Sequence, residues 1–281
     1  MLRDIRELTD DQEAYAAELQ RRWGGLLSYR YIGRSHASMN TGAVDETVRL
    51  RHDMRDPTGG LLLSVLMIAS PEGGAVSDLD AVPNPVVHSC QVVDAGRDVE
   101  RIEIRSEQLR RGRQMAYSRS LVVDADRPDR VLAITEGQGA IIGVPPEGLE
   151  KMDVEPIDVA DSPDLPPLWR VFGGARREDG HWALGELASE LASPDGALHI
   201  GPQAVILETA ATDLAAREAG TDRLQGTSSH VMFLARAKAG PFRVEGEAWA
   251  GPDGGVGARV VLHDEGADDR VVTSGSYTFR A

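Results

Sequence analysis

The sequence predicts an α+β protein made of two similar units, each an apolar helix accompanied by an antiparallel sheet. Three observations carry that prediction. In "ERIEIRSE", Arg101, Glu103 and Arg105 alternate with Ile102 and Ile104, the period-two pattern of a half-buried strand. Turn signals such as "DAGRD", "GPDGGVG" and "DEGADD" separate strand-length runs in series, including the β-branched-rich Ala258–Asp264, so neighbouring strands run antiparallel. The two halves also align on each other. "QVVDAGRDVERIEIRSE" lies over "RAKAGPFRVEGEAWAG" with Ala95-Gly96 on Ala239-Gly240, and Asp129-Arg130-Val131 lies over Asp269-Arg270-Val271. Extended without gaps toward the N-terminus, the first pairing sets "MRDPTGGLLLSVLMIA" on "LHIGPQAVILETAATD", an apolar helix on an apolar helix.

In chain order, "LTDDQEAYAAELQRRWGG" reads as an added helix within residues 1–24. Thr9 and Gln12 form a capping box, Tyr15, Leu19 and Trp23 share a face, and Gly24 is the stop. Residues 25–148 form the first unit and 169–281 the second. Between them, 149–168 belong to a Pro- and Asp-rich stretch without periodicity, a linker. "GQGAIIG" at 137–143 is a strand exit, since it follows a strand without opening a helix.

Composition narrows the function. Thirty Lys plus Arg against forty-five Asp plus Glu give a net charge of −15, which argues against a nucleic-acid partner. The longest apolar runs fall far short of a membrane span and the opening residues are charged, so the expectation is a soluble, cytoplasmic protein. A single cysteine, Cys90, excludes an intrachain disulfide and a thiolate metal cluster, and no His-x-x-x-His pair offers a metal site. No cofactor is expected, and a homo-oligomer is left open.

The motif that carries chemistry is "SPDGALHIGPQAVILE", residues 193–208, where Glu208 places a carboxylate inside an apolar helical run. With the order of elements in both halves, it resembles the hotdog fold of phenylacetate-type acyl-CoA thioesterases in a tandem, or double hotdog, arrangement. In that fold a curved sheet wraps a central helix. Gly196, His199 and Glu208 match the family's Gly, His and acidic positions, whereas Ser193 stands for its Asn and Ile200-Gly201 for its Gly-Gly. The gapless pairing puts Arg55 and Ser64 at the His and acidic positions of the first unit, which departs from the pattern.

The resemblance implies hydrolysis of an acyl-CoA or related acyl thioester. The Gly201 amide at the helix start would stabilise the oxyanion, Glu208 would act as general base or nucleophile, and His199 would orient the helix or meet substrate. Thr209 would position a water. Arg110, Arg111 and Arg113 of "LRRGRQ" form the densest basic patch and are the candidate docking point for coenzyme A. Each has a plainer reading: a polar stripe of Glu208 and Thr212, a structural histidine, an ordinary helix hydroxyl, a solvated hairpin turn. Two alternatives remain, an acyl-binding protein without turnover and a hydratase. The second is suggested by "DAVPNPVVHS" (80–89), where two residues rather than one separate Pro85 from His88.

Overall fold

The computed structural model describes residues 2–34, 46–71, 81–150 and 154–281; linker residues 151–153 lie outside it. Among them, eleven strands form one antiparallel sheet in the order β1-β3-β4-β5-β2-β8-β11-β10-β9-β7-β6. The strands of the first unit are β1 (Glu46–Arg49), β2 (Val82–Val92), β3 (Arg101–Arg111), β4 (Met115–Asp124) and β5 (Arg127–Gly143). Those of the second are β6 (Gly174–Arg176), β7 (Trp182–Leu184), β8 (Gln225–Phe233), β9 (Phe242–Ala250), β10 (Gly255–Asp264) and β11 (Arg270–Arg280). From the β2·β8 join, where Val87–Gln91 pair with Ser228–Met232, the order reads alike both ways. Beyond each joining strand stand the last strand of its unit, the two before it, and the strand that precedes its helix.

Two apolar helices lie on the inner face: α3 (Leu63–Ala69) after β1 and α5 (Ile200–Ala219) after β7. All seven residues of α3 are buried, as are Ile200 through Glu208 of α5. A fully buried Leu or Ile contributes roughly 1.5–3 kcal/mol, so the contact between these helices, backed by the inner face of the sheet, anchors both helices in one core. In β3, Ile102 and Ile104 are buried and Arg101 and Arg105 exposed, as the alternation requires.

The N-terminal helix is α1 (Gln12–Gly25), with Tyr15, Leu19 and Trp23 on its buried face. Its cap is Asp11, which accepts from the Ala14 amide at 3.0 Å, whereas Thr9 donates its hydroxyl to the Arg6 carbonyl. Asp11 wins because it stands directly before the helix, where its side chain reaches the free Ala14 amide, and a carboxylate is the stronger acceptor. A short helix, α2 (Leu27–Ile32), follows and leads into the core, and the linker ends in the single turn α4 (Leu168–Val171).

The helices are entered by the same device, an isolated bridge: Arg55 to Leu61 before α3 and Ala192 to Leu198 before α5, 137 residues apart. The gapless sequence pairing of 144 is therefore displaced by seven residues at this point. Seven residues are close to two helical turns, a shift that returns apolar positions to the same face, so hydrophobic pattern alone does not distinguish the registers. At the spacing of the bridges, Ser64 falls on Gly201, and Glu208 falls on Pro71, beyond the end of α3.

Candidate functional site

α5 carries Glu208 into the core so that its carboxylate meets the start of α3. Oε1 accepts from the Leu63 amide and Oε2 from the Ser64 amide, each at 2.8 Å. These are amides that a helix start leaves without an internal partner. α3 has no side-chain cap of its own, and Leu62 stands at that position. Glu208 is 4 % exposed. Burial raises its pKa above the ordinary carboxylate value; the Ser64 hydroxyl and the two amides pull the other way, and the Asp56 charge adds to the rise.

Above the carboxylate opens a cavity of about 590 Å³. One wall is the α5 face made by Val205, Glu208, Thr209 and Thr212, and an aromatic pair also lines the cavity. Trp169 and Trp182 meet edge to face with centroids 5.0 Å apart, and the Trp182 indole N–H donates to Asp213 at 3.1 Å. Phe279 of β11 and Leu165 and Leu168 from the linker side add to the apolar lining. Gly226 of β8 keeps the floor open: a Cβ there would stand 2.8 Å from the Leu63 side chain and 3.8 Å from Glu208 Oε1. Beneath lie Cys90, Ser229 and Tyr277, paired across β2, β8 and β11. Burial and then the Glu208 charge push the Cys90 thiol up to about 12 and raise the Tyr277 phenol, so neither ionises at neutral pH.

The structure separates the other sequence candidates from this carboxylate, except one. Thr209 lines the cavity beside Glu208, its hydroxyl donating to the Val205 carbonyl at 2.7 Å. Gly201 lies seven residues back along α5, about 10 Å, and its amide donates to His199 Nδ1 at 3.2 Å. Because Nδ1 accepts there, the Ser28 hydroxyl, 3.1 Å away, donates to it too. His199 is packed edge-on against Tyr29 and Trp23, and burial, with Arg236 and Arg34 nearby, lowers its pKa to about 3. The N-terminal α1–α2 segment thus covers the start of α5, while the start of α3 faces Glu208 and the cavity.

Arg110, Arg111 and Arg113 sit at the β3–β4 hairpin. The row Ile104, Val122, Ala133, Val92 crosses the sheet beside the start of β8. Arg111 is seven residues farther along β3, on the order of 20 Å. His88 of β2 is fully buried, bonded through Nε2 to the Ser70 carbonyl at 2.9 Å and lowered to about 4 by burial, and it does not line the cavity.

Sequence reading missed the Leu63 amide and the aromatic wall. Leu63 carries no side-chain signal for such a role; the Trp residues were visible only as apolar letters beside a Pro-rich stretch. Among the described residues, no cluster of His, Cys, Asp and Glu is placed to hold a metal ion, and no helix is long and apolar enough to cross a membrane.

No family model and no curated protein matches the sequence. Solved structures do match the fold. The tesB protein of Mycobacterium avium subsp. paratuberculosis superposes with a TM-score of 0.59 at 11 % identity, over 90 % of this chain and 97 % of its own. A hot dog fold protein of unknown function from Alicyclobacillus acidocaldarius gives 0.56 at 12 %, over 90 % and 97 %. The 12:0-ACP thioesterase of Umbellularia californica gives 0.56 at 11 %, over 86 % and 95 %. The chain has the hotdog fold.

Proposed function

We propose that this chain hydrolyses acyl thioesters at the Glu208 cavity. The observation that supports it best is a buried carboxylate of raised pKa at the floor of a mostly apolar cavity, beside the positive end of a helix. In this reading the acyl chain lies along Trp169, Trp182 and Phe279. A water beside Glu208 gives a proton to the carboxylate and attacks the acyl carbon, and the thiol leaves with that proton, so that thioester and water become acid and thiol. Thr209 can accept a hydrogen bond from the same water. The N-terminal dipole of α3 favours the negative charge that develops on the carbonyl oxygen. His199 and Gly201 serve the start of α5 instead.

The reading extends to the architecture: two hotdog units, 25–148 and 169–281, joined at β2·β8, with α5 supplying the carboxylate and α3 the helix start. The shared strand order and the matching bridges before the helices support it. The thioesterases among the structural neighbours support the substrate class, an acyl chain on coenzyme A or on a carrier protein.

One observation favours a second reading, an acyl-binding protein without turnover. Both Glu208 oxygens already accept backbone hydrogen bonds, as a helix-capping carboxylate does. A thiol-release assay over a panel of acyl-CoAs and acyl-carrier proteins separates the two. Catalytic release from at least one of them is the expected result; stoichiometric binding of acyl thioesters with no thiol released would establish the binder.

A further inference from the structure

At the cavity end of the sheet most arginines are neutralised: Arg101 pairs with Asp126, Arg127 with Asp98 and Asp124, and Arg130 with Asp94 and Asp98. Arg97, Arg223 and Arg280 at this end form no carboxylate pair among the described residues, nor does the half-buried Arg55, whose guanidinium donates to the Gly59, Gly96 and Val99 carbonyls. Arg97 donates only to neutral acceptors, the Thr58 carbonyl at 3.0 Å, the Thr58 hydroxyl at 3.3 Å and Gln225 Oε1 at 2.6 Å. Arg280 stands directly opposite Gln225 in the β8·β11 ladder, and Arg223 precedes Gln225 by two residues. All three are exposed.

Their position relative to the cavity is fixed by their neighbours. Asp222, Leu224, Gly226 and Phe279 line it, and Gln225 and Arg280, which alternate with Gly226 and Phe279, carry their side chains on the other face of the sheet at its end, where Arg97 joins Gln225 to Thr58, the neighbour of the lining residues Asp56 and Pro57. Gly226 in turn lies against the Glu208 carboxylate. Exposed Asp222 marks solvent access at this point and is the one acidic lining residue in the segment. A protein of net charge −15 repels a polyanion at long range, so binding one requires a local concentration of positive charge. Arginine suits phosphate because its planar fork can donate two parallel hydrogen bonds.

We propose that Arg97, Arg223 and Arg280 form the docking point for the phosphate of a phosphopantetheine-bearing carrier whose acyl thioester enters the Glu208 cavity. The assignment rests on the thioesterase reading. The pantetheine arm separates thioester from phosphate, so a phosphate belongs on the rim while the acyl group is inside, and these arginines stand on that rim. The hairpin arginines Arg110, Arg111 and Arg113 lie toward the opposite end of the strands.

The test is the triple variant Arg97→Gln, Arg223→Gln, Arg280→Gln, assayed on one acyl group carried by coenzyme A, by pantetheine without phosphate, and by an acyl-carrier protein. Expected is a ~10–100-fold fall in kcat/KM wherever the phosphate is recognised, from two or three charge-assisted contacts, with acyl-pantetheine turned over as before. A loss on acyl-CoA assigns the small carrier; a loss confined to the acyl-carrier protein assigns the protein-borne arm. An equal loss on all three substrates, or none on either phosphorylated one, overturns the docking point. If the unmodified protein releases no thiol from any substrate, the thioesterase reading fails by itself. Calorimetric titration with coenzyme A and with the carrier protein then decides: weaker binding of either by the triple variant supports the docking point, and unchanged binding of both overturns it.

Discussion

Glu208→Gln is expected to lower thioester turnover by ~100-fold or more while the protein still folds. The substitution keeps the side chain's length and removes the carboxylate that the reading assigns to take a proton from water. One amide of Leu63 or Ser64 then faces the new NH2 group in place of an acceptor, at a cost of ~1–3 kcal/mol. Relief from burying a charge offsets part of that cost. Thiol release together with thermal unfolding reads both effects. If Glu208 only caps α3, turnover is unaltered and the stability change alone appears.

The second large effect lies at the other helix start. A Cβ on Gly201 would stand 2.5 Å from Ser28 Cβ and 2.8 Å from Ser28 Oγ. Gly201→Ala should therefore destabilise the protein by ~1–3 kcal/mol, the usual range for overpacking a filled core. Ser28→Gly in the same chain removes both opposing atoms and should recover much of the loss, a coupling that denaturant unfolding of the two single variants and the double variant measures. Turnover per folded molecule should not change, because the Gly201 amide belongs to His199. Independent, additive losses would mean that the N-terminal segment does not sit on α5 as described. Lost turnover in a folded Gly201→Ala would return that amide to the site.

The two effects also show what sequence reading could reach. Strand alternation at Ile102 and Ile104, turn-separated runs and two apolar helices were enough for the α+β class and the hotdog resemblance. Glu208 was legible because a carboxylate in an apolar run needs a reason. Its partners were not, since the amides it meets are on a helix about 145 residues earlier, while the amide nearest in sequence motif, Gly201, is carried about 10 Å away by the rise of α5 itself. The helix-on-helix pairing slipped by seven residues because apolar letters repeat at nearly that period. The aromatic wall escaped because linker residues such as Leu165 have no periodicity to betray what they cover. The Arg110–Arg113 patch was conspicuous as a run of letters, whereas Arg97 and Arg280 are far apart in sequence and are related only through Gln225, which Arg97 bonds and Arg280 faces in the ladder.

The pH dependence of kcat/KM, measured on the unmodified protein and on Glu208→Gln, tests the central claim most directly. A base must be ionised to work, so activity should be lost as pH falls through the Glu208 pKa. Burial raises that pKa, and the acid limb should stand above the ordinary carboxylate value of about 4.3. The same shift has a consequence for stability: between the unfolded and folded pKa values the folded chain binds the extra proton, so Glu208 lowers stability as pH rises through that window. The account predicts a raised acid limb in the unmodified protein and its absence from the residual activity of Glu208→Gln. An identical acid limb in both proteins would contradict it.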